Sequence, residues 1–230
     1  VNKTYHVNKK DKILFITSLS FDLSVYDIFG LLAAGGQIRI ATREEIKDPK
    51  SLLNTLIMGK ITFWDSAPPA LRLLVPFLPK NSIKDNYLRL VFLSGDWIPI
   101  QLPNKIKKVF PGSKIIGLGG ATEAVIWSNY YEIKDIPEWW TSIPYGKPIQ
   151  NAKYYILDKK LRLCPIGVTG DLYIGGECLA DGYTDIEMTK KKFIQSPFNA
   201  NERIYDTGDI ARWLDDGNIE LLGRKDSQIK

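Results

Sequence analysis

The sequence predicts an α/β protein, in which a largely parallel sheet lobe with flanking helices is followed by a β-rich subdomain with the form of a distorted barrel. Up to about residue 144, short β-rich runs alternate with amphipathic helical runs, as in parallel sheets connected by crossover helices. Beyond that point, short strands separated by turn residues dominate. At 230 residues and 44% hydrophobic content, the chain can bury the core of one large domain or of two coupled lobes.

The elements of the first half follow from hydrophobic periodicity and from helix start and stop residues. Gly35 and Gly36 end the first helix, and Asp48 with Pro49 forms a cap and first residue for the second. Strands are expected at residues 13–16, 37–41, 61–64, 90–93 and 114–118, and helices at 25–33, 48–59 and 103–110.

The second half has the pattern of antiparallel strands. These are expected at residues 154–157, 171–174, 211–214 and 219–222, with the Asp-Asp-Gly-Asn turn at 215–218 between the last two. One helix is expected near residues 187–193. We therefore expect an α/β lobe at residues 1–144 and a β-rich subdomain at residues 145–225.

Composition argues against several classes of protein. No apolar run approaches the length of a membrane helix, so cytoplasm is the default location. The only histidine, His6, is far from Cys164 and Cys178, which does not favour zinc or histidine-based triads. The net charge of +5 comes from scattered lysines without an aromatic-basic motif, so neither a nucleic acid nor a membrane is expected as partner.

Four loops are predicted to meet at the carboxyl edge of the parallel sheet, where open α/β sheets bind ligands. They lie at residues 20–22, 65–66, 94–96 and 119–123, and each combines small residues with a carboxylate or hydroxyl. Each also has a structural interpretation: Asp22 could cap a helix, Gly119-Gly120 could form a turn, and Thr122 could open a helix.

Several segments resemble the core motifs of amino-acid adenylation domains of nonribosomal peptide synthetases, in the adenylate-forming superfamily. They are Phe-Asp-Leu-Ser-Val-Tyr-Asp-Ile-Phe at 21–29, Gly-Gly-Ala-Thr-Glu at 119–123, Tyr-Asp-Thr-Gly-Asp at 205–209 and Gly-Arg-Lys-Asp at 223–226. The resemblance spans nearly the whole chain. It implies part of the large N-terminal domain of the adenylate-forming fold, with residues 226–230 leading to a C-terminal lid outside this sequence.

The resemblance implies roles for the first two motifs. Asp22 pairs with the α-ammonium of the substrate in the family, which selects amino acids over plain carboxylic acids. Thr122 contacts the α-phosphate of ATP, and Glu123 helps to hold Mg²⁺. Gly119 and Ala121 depart from the usual tyrosine and proline of that motif.

The later motifs imply the ribose and hinge contacts. Asp209 accepts hydrogen bonds from both ribose hydroxyls in the family, Arg224 lies on the nucleotide side, and Asp226 is the hinge of the lid. Asp206 stands where arginine or lysine is usual, so no role is carried over to it. The implied nucleotide-binding set is Gly95, Thr122, Asp209, Leu221 and Arg224. Residues 170–176 and 179–183 resemble a structural motif, for which no chemistry is expected.

The family's substrate-pocket positions give a first expectation of the amino acid. They correspond to Asp22, Leu23, Tyr26, Asp65, Phe92, Ser94, Leu118, Gly120, Ile126 and Trp127. This set is similar to the cysteine-selecting pattern, except that asparagine is usual at Asp65 and leucine at Phe92. Cysteine is therefore the first expectation, and another polar amino acid is the second, since a buried Asp65 needs a hydrogen-bond donor.

The implied function is ATP-Mg²⁺-dependent activation of an α-amino acid as its adenylate. The aminoacyl group would pass to the phosphopantetheine thiol of a peptidyl carrier domain, with condensation or cyclisation domains in the same polypeptide. Nothing in the chain matches the family's phosphate loop or its lid lysine, so no catalytic residue is assigned and the chain alone is expected to be poorly active. The alternatives are adenylation of an aryl, keto or fatty acid, and a catalytically silent scaffold.

Overall fold

The computed structural model describes residues 1–225, which form two compact units. The first unit contains Val1–Gly117 and Glu132–Ile143. The second contains Leu118–Tyr131 and the described residues from Pro144 onward. The predicted division after residue 144 stays a prediction; by contacts, residues 118–131 pack with the second unit.

The first unit is built on parallel strands in the order β2-β1-β3-β4-β5. Every position of β3 and β4 is buried, as expected for strands covered on both faces. The strands are β1 Lys12–Phe15, β2 Gln37–Ile40, β3 Phe63–Ser66, β4 Leu90–Leu93 and β5 Lys114–Gly119, the last of which runs into the second unit.

Helices connect these strands. As predicted, Asp48 caps the helix Pro49–Met58, since its carboxylate accepts hydrogen bonds from the backbone N–H groups of Lys50 and Ser51. The others are Asn2–Tyr5, Leu23–Val25, Leu31–Ala33, Arg43–Lys47, Pro68–Leu74 and Leu102–Val109, with a 3-10 turn at Val75–Phe77. Among the described residues, no helix has both the length and the apolar character needed to cross a bilayer.

The helix predicted at residues 25–33 contains a π-helical segment, Tyr26–Gly30. A side chain at residue 30 would place its Cβ 2.5 Å from the Tyr26 ring, so glycine is required for this close approach. The Tyr26 hydroxyl donates to Asn2, which in turn donates to the Gly30 carbonyl. Short π segments are frequent at functional sites.

The second unit is an antiparallel sheet in the order β10-β11-β9-β8, with β12 paired to β11. The core contains Ile156, Leu172, Ile174, Ala211 and Ile219. The elements of this unit are β8 Ala152–Leu157, β9 Gly170–Gly176, the helix Ile186–Lys192, β10 Phe193–Gln195, β11 Arg203–Trp213 and β12 Ile219–Arg224. Outside this sheet, β6 Asn129–Ile133, whose last two residues belong to the first unit, pairs with β7 Lys147–Pro148. The predicted class, a parallel-rich sheet lobe followed by a curled antiparallel subdomain, is confirmed.

Strand β11 is much longer than the four residues expected at 211–214. It includes the Tyr-Asp-Thr-Gly-Asp segment, whose glycine and aspartates are more typical of a loop. A break in register with β9 between Asp206 and Ile210 accommodates this segment, and Gly208 has a φ of 77°. Asp206 accepts a hydrogen bond from the Gly208 N–H and pairs with Lys225.

Asp11 anchors the start of β1 through a buried carboxylate that is 2% exposed. Burial alone would raise its pKa, but hydrogen bonds from Arg89, the Asn8 N–H and Thr62 hold the pKa below its usual range. The Nε atom of Arg89 lies 2.7 Å and its Nη2 atom 2.5 Å from the carboxylate oxygens. The pair joins the residue before β1, Asp11, to the residue before β4, Arg89.

We expect Arg89→Gln to lower the free energy of unfolding by about 1–3 kcal/mol at neutral pH, because Asp11 loses its charged donors while it stays buried. Since the folded-state pKa of Asp11 is lowered, its contribution is present above the ordinary carboxyl pKa and is lost as the pH falls through the folded value. The difference between the two proteins should therefore shrink in acid. Urea denaturation across pH measures it.

The matched control is Arg162→Gln, which removes an exposed ion pair with Asp158. Surface pairs of this kind contribute little to stability. Equal losses in the two variants would contradict an anchoring role for Asp11.

Candidate functional site

The strand order of the first unit contains a switch point between β1 and β3. The chain passes from β1 to β2 on one side of β1, and then crosses to β3 on the other side of β1. Ligands of open α/β sheets bind in the crevice outside the carboxyl ends of the strands at such a point. The residues that follow β1 and the last residues of β3, including Asp65, lie at this edge.

Asp22 immediately precedes the helical segment Leu23–Val25. Its backbone is itself helical, and its carboxylate makes no capping hydrogen bond to the helix. Ser24 instead donates to the Phe21 carbonyl. The capping interpretation of Asp22 is therefore wrong.

An aromatic cluster packs beside the switch point. The Phe63 and Phe92 rings meet edge to face with centroids 4.7 Å apart, and the Tyr26 ring lies 6.2 and 6.1 Å from them. Strand register sets Asp65 opposite Phe92, and the two-residue period of a strand places Ser94 on the same face as Phe92. The Ser94 hydroxyl is buried and has no hydrogen-bond partner in the described part of the chain.

Asp65 interacts with a second buried carboxyl group, that of Asp27, and both residues are 0% exposed. Burial raises the pKa of Asp27 to about 6. Burial first, and then the charge of Asp27, raise the pKa of Asp65 well above its usual range. The sequence analysis did not single out Asp27, although an aspartate on the core-facing side of an amphipathic helix could have indicated it.

In the second unit, a tight loop holds the Gly-Gly-Ala-Thr-Glu segment. The Ser128 N–H donates to the Gly119 carbonyl at 2.8 Å, and Val125 takes a φ of 65°, which is rare for a β-branched residue. Thr122 is exposed and Glu123 is partly buried. The loop therefore presents both side chains from a fixed backbone.

Two tyrosines orient Glu123. The Tyr183 hydroxyl donates a short hydrogen bond to Glu123 Oε1 and lies 3.2 Å from the Tyr205 hydroxyl. Burial is the first cause that raises the pKa of both phenols, so they stay neutral donors. The Ala180 N–H also donates to the Glu123 carbonyl. Residues 179–183, for which no chemistry was expected, thus contain a contact to a predicted metal ligand.

Asp209 lies on β11, opposite Arg224 on β12. Its carboxylate is 3.1 Å from Arg224 Nη1, and its N–H donates to the Thr207 hydroxyl at 3.0 Å. Thr207 itself donates to the Leu172 carbonyl of β9. This chain of hydrogen bonds fixes Asp209 against the sheet and brings together two residues predicted to bind the nucleotide.

The glycine at position 119 is explained by Tyr145. A Cβ at this position would lie 2.6 Å from Cζ of Tyr145 and 2.7 Å from Oδ1 of Asn129. The ring of Tyr145 stacks on Tyr154, whose hydroxyl is 2.7 Å from that of Ser128. An aromatic side chain from another segment therefore fills the space beside Gly119.

The remaining predicted positions are distributed between the two units. Gly95 follows β4 with a φ of 84° and is exposed. Leu221 packs against the core of the second unit. Asp226 lies outside the described residues. The other pocket positions in the second unit are Leu118 and Trp127, both buried, and Gly120 and Ile126, both partly buried.

The sequence matches the family described as AMP-binding enzyme over residues 1–184, which is most of the chain. The chain belongs to the AMP-binding enzyme family. This confirms the predicted membership of the adenylate-forming superfamily.

Relatives of this AMP-binding chain are nonribosomal peptide synthetases. It is 47% identical over its whole length to Bacitracin synthase 1 of Bacillus licheniformis and 41% identical to Pyochelin synthetase PchF of Pseudomonas aeruginosa. It spans 4% and 13% of the lengths of those proteins. The nonribosomal peptide synthetase FmoA3, in its α-methyl-L-serine-AMP bound form, superposes with a TM-score of 0.90 at 40% identity, over 99% of this chain and 26% of FmoA3.

We expect Gly119→Ala to destabilise the protein by about 1–3 kcal/mol, because the new methyl group overlaps the Tyr145 ring in a packed interior. Adding Tyr145→Leu to this variant should recover part of the loss. Urea denaturation of the two single variants and the double variant gives the coupling between the positions. Strictly additive losses would show that Tyr145 does not restrict position 119.

Proposed function

We propose that this chain forms the amino-acid pocket and much of the nucleotide site of an enzyme that activates an α-amino acid as its adenylate. The observation that carries the proposal is that two carboxylates in the second unit are held in place by neighbouring side chains. The Tyr183 hydroxyl donates to Glu123, and the guanidinium of Arg224 pairs with Asp209. Both lie on segments that match nucleotide-binding motifs of the family. FmoA3, a relative at 40% identity, was solved in an AMPPNP-bound form and in an α-methyl-L-serine-AMP bound form.

The residues present are compatible with Mg²⁺ brought by the nucleotide. Magnesium in ATP sites is usually held by one or two carboxylates together with phosphate oxygens and water. Glu123 supplies one carboxylate, and no cluster of three or more potential ligands occurs in residues 1–225. When bound, the ion would neutralise phosphate charge; Glu123 would position it, and Thr122 would contact the α-phosphate.

The reaction proposed is a displacement at phosphorus. An oxygen of the amino-acid carboxylate forms a bond to the α-phosphorus of ATP, the bond to the β-phosphate oxygen breaks, and pyrophosphate leaves. Asp22 would hold the α-ammonium, and Asp209 would accept hydrogen bonds from the ribose hydroxyls. In the second half-reaction, a phosphopantetheine thiol of a peptidyl carrier domain attacks the acyl carbon and AMP leaves.

The substrate proposed is cysteine first and another polar α-amino acid second. Tyr26 and Phe92 provide an aromatic wall, while Asp65 and Ser94 supply buried polar atoms without partners in the described residues. Such atoms favour a side chain that offers a hydrogen-bond donor. Carrier, condensation and cyclisation domains as partners are part of the same proposal.

The activity test is amino-acid-dependent exchange of pyrophosphate into ATP, measured across a panel of amino acids and plain carboxylic acids on the full-length protein that carries this sequence. We expect exchange with a polar amino acid, and a loss of roughly a hundredfold or more in Asp22→Ala, because the ammonium loses its charged partner. Asp85→Ala, at an exposed position of the same unit, is the control.

The outcomes separate the alternatives. Exchange only with acids that lack the amine would replace the proposal by aryl, keto or fatty acid activation. No exchange with any acid, by a protein that is folded, would favour a scaffold role.

We expect Tyr183→Phe to weaken Mg²⁺-dependent nucleotide binding roughly tenfold, because groups that orient a metal ligand typically contribute this much. Calorimetric titration of ATP at several Mg²⁺ concentrations measures binding without turnover. The control is Tyr155→Phe, whose hydroxyl has a long 3.5 Å contact with Glu202 in the same unit. Equal nucleotide binding by the Tyr183 variant and the native protein would show that Tyr183 does not position Glu123 for Mg²⁺.

A further inference from the structure

The two carboxyl groups at the β1/β3 switch point, those of Asp27 and Asp65, are buried, and no cation of the described part of the chain pairs with them. None of the four oxygens of Asp27 and Asp65 accepts a hydrogen bond from a donor with good geometry in the described residues. The two groups interact with each other, and the side chains of Asp65 and Thr17 partly offset the rise that burial causes in the pKa of Asp27. If both buried carboxylates were ionised, they would repel one another and would lack hydration. The free-energy cost of burying both charges would exceed the net stability of a domain.

The neighbouring titratable groups do not neutralise the pair. Burial is the largest cause that raises the pKa of Tyr26, so its phenol stays neutral. Arg89 is the nearby cation, and its Nε and Nη2 atoms are both directed at Asp11. A proton is therefore the available way to satisfy the pair, because it turns one carboxyl group into a donor to the other.

We propose that Asp27 and Asp65 hold one proton between them, and that this acid pair, rather than Asp65 alone, selects an amino acid whose side chain carries a neutral hydrogen-bond donor. The proposal rests on the function proposed above. Asp65 is the member at the predicted pocket position, and Asp27 is a positioning residue that acts through it.

The chemistry of a proton-bridged pair defines the side chain that it accepts. The bridging proton uses one lone pair of each carboxyl group, and the pair as a whole keeps a single negative charge, so its remaining lone pairs can only accept. A hydroxyl or thiol can donate to them, whereas an alkyl side chain leaves them unpaired. The buried Ser94 hydroxyl on the same sheet face offers a second polar contact. The class of substrate is thus a small α-amino acid with a hydroxyl or thiol.

The titration of the pair agrees with one shared proton near neutral pH. Burial raises the pKa of Asp27 to about 6 and that of Asp65 further, so the pair keeps one proton above this pH. Because the pKa values of the two carboxyl groups are higher in the folded state than in the unfolded state, their contribution to stability is fully present below the unfolded carboxyl pKa. This stability is lost as the pH rises from about 4 through about 6 and beyond.

Infrared difference spectroscopy tests the proton directly. At neutral pH the full-length protein should show the carbonyl band of a protonated carboxylic acid. The band should disappear in Asp65→Asn, because the amide donates to Asp27 without a shared proton, and it should shift in Asp27→Asn, because the buried Asp65 keeps its proton but loses the carboxylate that accepts it. Asp85→Asn, an exposed aspartate of the same unit, should keep the band. Absence of the band in the native protein would overturn the proposal.

Stability across pH is the second measurement. The decrease in urea midpoint between about pH 4 and about pH 7 should shrink by at least half in either asparagine variant. The double variant Asp27→Asn/Asp65→Asn should resemble each single variant, since either change removes the pair. Additive effects of the two changes would contradict a shared proton.

Selection is tested by the ratio of exchange rates for serine or cysteine over 2-aminobutyrate, which lacks the donor. We expect a native ratio of at least about tenfold, reduced severalfold in Asp27→Asn. A ratio unchanged by Asp27→Asn, with the infrared band shifted, would remove the role of the pair in selection. Absence of exchange with every acid would instead count against the proposed function, while the band and the pH profile still decide whether the proton is shared.

Discussion

Parallel pairing of fully buried strands is the constraint on which the first unit depends. Because β3 and β4 are covered on both faces, their polar residues can only be accommodated at the carboxyl end, where helices and loops leave the sheet. Asp65 and Ser94 lie at that end, and the helix that contains Asp27 packs there through Tyr26. The same arrangement that hides the strands therefore concentrates polar chemistry at one edge.

The structure orients its important carboxylates in different ways, each suited to a different task. Glu123 accepts from neutral phenols, which fix its direction and leave its charge available to a cation. Asp209 is matched by the guanidinium of Arg224, and Asp11 by that of Arg89, where charge balance permits burial. Among residues 1–225 no such cation is paired with Asp27 or Asp65, so protonation takes its place. Fold and site are linked because each of these groups also holds two segments together.

Much of the fold could be predicted from local sequence. The apolar run at residues 90–93 predicts a strand, and the Asp48-Pro49 cap predicts the start of a helix. Both predictions succeed because hydrophobic patterning and capping depend on residues that are neighbours in sequence. The length of β11 could not be predicted, since its bulge depends on pairing with β9 and on hydrogen bonds from residues distant in the chain. The contact of Tyr183 with Glu123 was missed for the same reason: 60 residues separate the two.

The close approach of the Tyr145 ring to Gly119 has a consequence for engineering this loop. The ring beside the loop comes from a different segment of the chain, which contains Tyr145. A loop with a larger residue at position 119 does not fit beside Tyr145, because the new side chain would overlap the ring. Grafting the loop between homologues would consequently have to carry both positions together, since either one transplanted alone creates a clash or a void.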